Sequence, residues 1–266
     1  KSSHKIYLKS NYMKYYIKNC ATTICVLLLT LSQYKCNTNR QESPITEKLS
    51  LQKMTPIKVP EPSGLAFSYD RKYFWSVGDS DSKVYKLDLN GNVIKSFVIN
   101  GEDLEGITVI DSTHLAVILE RTREVVIVDT SGKEVKRKQF DLKGRLNEGL
   151  EGICFDISTK EFYFLNEKKP GLLIKTDSSF NEIFRTELKL AKDYSDIFFS
   201  QADNTLWILS DESAKIIHTN LEGKKITEYH IKVKQPEGLV VDYKNKKVFI
   251  VSDKKEELYE FKLPEK

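Results

Sequence analysis

The chain has 266 residues, 42 of them basic and 38 acidic, for a net charge of +4, with 12 glycines and 7 prolines. That length and composition exclude bulk disorder and allow a large buried core. Lys and Arg are spread along the chain rather than clustered, which argues against a nucleic-acid partner.

In chain order, residues 1–12 precede a plausible initiator at Met13 and read as upstream sequence. From Met13 the chain runs through charged and polar residues into an apolar run, Cys20 to Leu31, and then to Ser32-Gln33-Tyr34-Lys35-Cys36. That order is the order of an export signal, and about a dozen apolar residues are too few to span a bilayer. Cys36, followed by the polar Asn37-Thr38-Asn39-Arg40-Gln41, resembles a bacterial lipoprotein processing site. Gln33 and Lys35 stand where such a site usually has Leu and a small residue, so plain secretion and an uncleaved anchor stay open as alternatives. Residues 1–36 are thus expected to be leader and signal with a lipidation Cys, residues 37–53 a polar tether, and residues 54–266 the folded domain. Cys20 and Cys25 fall in the signal, which leaves Cys154 alone at an alternating strand position, a pattern for a buried, inert thiol.

Beyond the tether the sequence repeats. Gln235-Pro236-Glu237-Gly238-Leu239 has relatives at Ser195-Asp196-Ile197, Glu151-Gly152-Ile153, Glu105-Gly106-Ile107 and Ser63-Gly64-Leu65. Their intervals are roughly 42, 46, 44 and 42 residues, the period of a four-stranded propeller blade. Within the first repeat, strands are expected at Leu65–Ser68, Tyr73–Val77, Val84–Leu89 and Val93–Ile99, from their alternating apolar and polar residues. Turn signals such as Asn90-Gly91, Ser131-Gly132 and Glu222-Gly223 separate the third and fourth strands. The fifth repeat ends after its third strand, Leu258–Leu263, while a surplus strand around Met54–Val59 precedes the first repeat. The expected fold is therefore all-β: a five-bladed β-propeller of four-stranded antiparallel blades, with the N-terminal strand completing the last blade and leaving no open edge.

Two columns of acids fall on one face of such a propeller. The first, entering the inner strands, is Glu105, Glu151, Asp196 and Glu237, with Ser63 in the first blade; the second, after the second strands, is Asp79, Glu120, Glu167, Asp211 and Asp253. Carboxylates ringed about one axis repel unless met by backbone N–H groups, by cationic side chains or by a metal. Hard oxygen ligands suit Ca²⁺, for which the first column supplies the expected ligands; the competing expectation is that these acids cap loops. Arg121, Arg123, Lys168, Lys169, Lys254 and Lys255 are near enough in sequence to neutralise the second column. His114, His218 and His230 share no ligand spacing, no nucleophile motif occurs, and Trp75 and Trp207 read as core.

The Glu-Gly-Ile and Glu-Gly-Leu openings, with Asp or Glu after the second strand, resemble the SdiA-regulated (YjiK-like) family of bacterial propellers over about residues 55 to 264. Asp103-Leu104-Glu105-Gly106-Ile107 and Gly149-Leu150-Glu151-Gly152-Ile153 carry the resemblance most strongly. It implies an envelope-associated propeller and brings no established catalytic residues; Ser63 and Ser195-Asp196 depart from its pattern. The expectation is a membrane-anchored, non-enzymatic protein facing the periplasm or exterior, binding an ion, small ligand or protein partner at the channel face. The alternative is a calcium-dependent hydrolase of the lactonase, esterase or phytase kind, in which the metal polarises an ester or phosphate oxygen and a ring carboxylate acts as base. Asn166 is the nearest counterpart to the Asn ligands of such lactonases. A third reading is a scaffolding module that uses an outer blade edge.

Overall fold

The computed structural model describes residues 48–142, 145 and 148–264. Twenty strands form five four-stranded antiparallel sheets. Blade one holds β2 (Pro62–Phe67), β3 (Tyr73–Gly78), β4 (Lys83–Asp88) and β5 (Val93–Val98); blade two holds β6 (Leu104–Val109), β7 (His114–Leu119), β8 (Glu124–Asp129) and β9 (Glu134–Gln139). Blade three holds β10 (Leu150–Asp156), β11 (Glu161–Asn166), β12 (Leu172–Thr176) and β13 (Glu182–Glu187); blade four holds β14 (Asp196–Ser200), β15 (Thr205–Ser210), β16 (Lys215–Thr219) and β17 (Lys225–His230). In blade five, β18 (Pro236–Asp242), β19 (Lys247–Ser252) and β20 (Glu257–Lys262) take β1 (Ser50–Pro56) as the outermost strand, with Ser50 opposite Lys262 and Pro56 opposite Glu257. That strand starts at Ser50, a few residues ahead of the boundary expected at residue 54. The leader, the signal and Cys36 lie outside the described residues.

The apolar alternation packs each blade face against its neighbour. Trp75, Val77 and Val84 of blade one meet Leu104, Ile107 and Val117 of blade two, and corresponding clusters fill each following junction. The ring closes where Phe74 and Leu87 meet Val240 and Phe249. Trp75 and Trp207 are buried in these clusters, Trp207 stacked on His218 and Tyr229 at ring separations of 4.2 and 5.7 Å. A buried aromatic of this size contributes the most per residue to such an interface.

A turn device that the sequence reading passed over recurs between the third and fourth strands of four blades. The side-chain oxygens of Asp88, Asp129, Asp177 and Asn220 each accept the N–H groups two and four residues on. Such Asx turns mimic a backbone turn and fix the hairpin. The residue three beyond, Gly91, Gly132, Phe180 or Gly223, has positive φ, and Phe180 adopts it without the freedom of glycine.

Inner strands run from what we call the upper end to the lower end. At the upper end lie the entries to the inner strands and the turns between second and third strands; the Asx turns lie at the lower end.

Candidate functional site

The upper mouth of the channel is built by a backbone irregularity. In β2, β6, β10 and β18 the pairing with the second strand slips at Ser63, Glu105-Gly106, Glu151-Gly152 and Glu237. A β-bulge re-aims the extra residue and bends its strand, and here it presents the residue before each glycine to the channel mouth. The following glycine is required by crowding: a Cβ on Gly64 would stand 2.5 Å from the Glu105 carbonyl oxygen of the next blade. Blade four alone has no such slip in its inner pair.

A cavity of about 320 Å³ opens there. Of its thirteen lining residues ten are acidic and one, Lys168, is cationic. From the first expected column, Glu105, Glu151 and Glu237 line it, with Ser63 and Ser195 in the equivalent places. From the second, Asp79, Glu167, Asp211 and Asp253 line it. Glu120 sits behind them, buried, with Oε1 accepting the Gly149 N–H at 2.9 Å. Carboxylate oxygens of Glu120, Glu151 and Glu167 lie within 4.8 Å of one another, as do those of Asp79, Asp103 and Glu105.

Asp196 does not join them. It occupies the glycine position of its blade, and Ser195 holds the place the glutamates take elsewhere. Its two oxygens accept the N–H groups of Ile197 at 2.8 Å and Leu239 at 2.7 Å, so it staples blade four to blade five. Complete burial pushes the Asp196 carboxyl well up, and the N–H groups of Leu239, Ile197 and Leu65 offset only part of that push. The sequence alignment counted Asp196 as an acid of the column, although it aligned with the glycines.

A further set of acids went unread. Glu61 and Asp193 line the cavity, and Asp103 belongs to a three-carboxylate group; each lies two residues ahead of the bulge position. Asp103 Oδ1 accepts from Arg121 at 3.3 Å while Oδ2 is buried with no partner. Asp193 caps the next turn, accepting from the Ser210 hydroxyl at 2.5 Å and from the Glu212 N–H. The Asp103-Leu104-Glu105-Gly106 string carried the signal, and the two-residue offset was its only sequence mark.

Burial and mutual repulsion raise the carboxyl pKa values across the mouth. Burial, then Asp103 and Glu61, lift Asp79 to about 6; burial lifts Glu120 to about 7; burial, then the Asp211 charge, lift Glu237 to about 8. Burial, then the Asp79 and Glu237 charges, pushes Glu105 well up; burial, then the Glu105 and Glu120 charges, does the same to Glu151. Of the cations expected to neutralise the second column, Lys168 does so, bonding Glu167 at 2.5 Å and Glu212 at 3.3 Å. Arg121 instead pairs with Asp103 and Lys169 with Glu148. Asn166 is a brace: its Nδ2 donates to the carbonyls of Lys168 and Pro170. None of His114, His218 and His230 lines the cavity.

The lower mouth is the chemical opposite. Phe67, Phe155 and Phe198 surround a cavity of about 130 Å³, Cys154 is buried beside it, and the Arg71 guanidinium lies 4.2 Å above the Phe67 ring. Burial pushes the Cys154 thiol well up, so it stays protonated.

Among solved structures, the chain is similar to one in a nidogen/laminin complex, with TM-score 0.53 and 14% identity over 76% of this chain and 80% of that one. It is also similar to a chain of Kuenenia stuttgartiensis hydrazine synthase, with TM-score 0.50 and 16% identity over 74% of this chain and 56% of that one. Streptogramin B lyase matches at TM-score 0.49 and 16% identity, over 82% and 74%. At these identities the likeness is one of fold. A family model described as SdiA-regulated matches residues 42–262.

Proposed function

The chain belongs to the SdiA-regulated family, and on that premise we propose that it is an exported, membrane-tethered propeller whose acidic upper mouth binds a divalent cation, Ca²⁺ foremost. The observation that carries this is the pair of three-carboxylate groups at the mouth, Asp79/Asp103/Glu105 and Glu120/Glu151/Glu167. Burial, then mutual repulsion, raises the carboxyl pKa values of Asp79, Glu105, Glu120, Glu151 and Glu167 although Arg121 reaches Asp103 and Lys168 reaches Glu167, so protons compete for these oxygens. A hard cation with six to eight oxygen ligands would replace those protons, drawing on both carboxylates and mouth water.

Binding rather than catalysis is the reading we adopt. The cavity lining offers carboxylates, two serines and a lysine already paired to Glu167 and Glu212. Two nearby acids play structural parts: Asp196, outside the cavity, staples blades and Asp193 caps a turn. The hydrolase alternative draws on Glu120, whose carboxyl titrates near neutral pH beside Glu151 and Glu167, as a base would. A partner protein or small anionic ligand would then meet the bound cation from the solvent side.

The test is calorimetric titration of Ca²⁺ into the EDTA-treated full chain, beside Glu105→Gln and Glu151→Gln. Binding weakened at least about tenfold by each substitution supports the reading, since each removes a charged ligand from one group. Absence of heat, together with a melting temperature unmoved by excess Ca²⁺, overturns it. Turnover of lactone, ester or phosphate panels that follows Ca²⁺ occupancy would establish the hydrolase alternative.

A further inference from the structure

The exposed hydrophobic side chains of this propeller are not spread evenly. Eleven large ones are exposed among the described residues, and nine of them lie at the lower end. Four form a ring. In blades one to four the outermost strand carries a β-bulge beside its second residue, and that residue is Ile94, Val135, Ile183 or Ile226, each more than half exposed. Outermost strands start at the lower end, so the ring stands within about 7 Å of that edge. Leu51 and Val93 start the outermost strands next to it, and Tyr69, Leu89 and Ile157 project from lower-end loops. Only Met54 and Val98 lie elsewhere. A soluble surface with random exposure has no reason to gather its aliphatics at one end.

The path of the chain points the same way. β1 runs antiparallel to β20, with Ser50 opposite Lys262 at the lower end and Pro56 opposite Glu257 at the upper end. The segment that contains the apolar Cys20–Leu31 run and Cys36 therefore joins the propeller at the end that carries the exposed aliphatics. The acidic mouth is at the other end. Anionic lipid headgroups would repel that mouth. The lower end is mixed in charge, with exposed Lys72, Lys160 and Lys244 beside the acids Asp70, Asp88, Asp129 and Asp177, so that its aliphatic side chains decide the preference.

We propose that the lower end of the propeller is a membrane-seating surface: it rests on a phospholipid bilayer, with the aliphatic ring and the Tyr69 and Ile157 loops in the headgroup region and the acidic mouth turned to solvent. Interfacial seating of this kind buries side chains about 5–10 Å deep, which matches the height of the ring above the edge. The proposal rests on the membrane-tethered part of the reading above and is independent of cation binding.

Hydrogen–deuterium exchange of the full chain, with and without phosphatidylcholine/phosphatidylglycerol vesicles, tests it. Exchange slowed about fivefold or more in residues 68–72, 89–92, 157–160 and 243–246, with residues 79–82 and 212–214 unchanged, is the expected result. A variant carrying Tyr69→Ser, Ile157→Ser, Ile183→Ser and Ile226→Ser, all at exposed positions, is expected to fold as before and lose that protection. Vesicle association without lower-end protection, or protection of the acidic end, overturns the seating while leaving the tether intact. No association overturns both. A concentration-dependent dimer abolished by the same four substitutions, with no vesicle protection, would assign the surface to a second copy of the chain and also overturn the proposal.

Discussion

The inner strand of blade four and the inner strands of the other blades meet the same axis in two ways. β2, β6, β10 and β18 slip by a bulge and present Ser63, Glu105, Glu151 and Glu237 to the mouth, each followed by a crowded glycine. β14 pairs without a slip, offers Ser195 to the mouth and replaces the glycine with Asp196, whose carboxylate is consumed by backbone N–H groups. The difference teaches that an acid near the channel faces the mouth or staples two blades according to one residue of register. A ring of five was never available; the mouth is lopsided, with its two carboxylate groups drawn from blades one to three.

The strongest way to break this contrast is to remove the staple. Asp196→Ala leaves the Ile197 and Leu239 N–H groups buried without acceptors and is expected to cost about 3 kcal/mol in urea unfolding; Asp196→Asn, which keeps one acceptor, is expected to cost less. A neutral result for the alanine variant would reduce Asp196 to an incidental acid. Crowding at the bulge comes next. Gly106→Ala places a Cβ against the Glu151 carbonyl oxygen and is expected to destabilise by about 2 kcal/mol in urea unfolding; an unchanged midpoint would show that the bulge has room to open.

A smaller effect separates the two kinds of acid by pH. Glu237, Glu120 and Asp79 titrate in the fold at about 8, 7 and 6, above their unfolded values near 4. The folded state therefore binds more protons than the unfolded chain between about pH 4 and 8, and stability falls as pH rises through that window. Thermal melts without divalent cation should show this decline, Glu237→Gln should flatten its upper part, and millimolar Ca²⁺ should restore stability near pH 8. Melts that stay level from pH 5 to 8 would contradict the repulsion. The smallest expected effect sharpens the comparison from the other side. Ser195→Glu adds a carboxylate to the strand that has no bulge, and Ca²⁺ affinity should change by less than about twofold, because both carboxylate groups lie in other blades. A large gain would mean that register matters less than charge.

How much of this could be read from the residues varies by kind. The repeat of Glu-Gly-Ile and its relatives gave away the blade count, and alternation placed β3 and β5 to within a residue. The glutamates at the mouth were legible because the glycine after each marks the bulge. Asp196 misled because an acid near the right place looks like a ligand when the partner that claims its second oxygen, Leu239, lies 43 residues away. Glu61, Asp103 and Asp193 were illegible for a related reason: each is held beside the end of its blade's second strand by a bond with Asp79, Glu120 or Glu212, about eighteen residues on, which no local residue pattern marks. The Asx turns at Asp88, Asp129, Asp177 and Asn220 stand in plain view, in phase with the repeat; the glycine in three of them signals a turn without marking the acceptor three residues ahead of it. The gathering of Ile94, Val135, Ile183 and Ile226 at one edge appears only once strand direction is known.

The clasp of β1 on β20 has a consequence in time. The ribosome makes Ser50 well before Lys262, yet these two are neighbours in the finished sheet. The strand β1 must wait, unpaired, while the strands between it and β20 are made, and a chain stopped before β20 has nothing to offer it. The ring is closed by that one pairing: without β20, both β1 and β19 would keep an open edge, and with it the fifth sheet has its four strands.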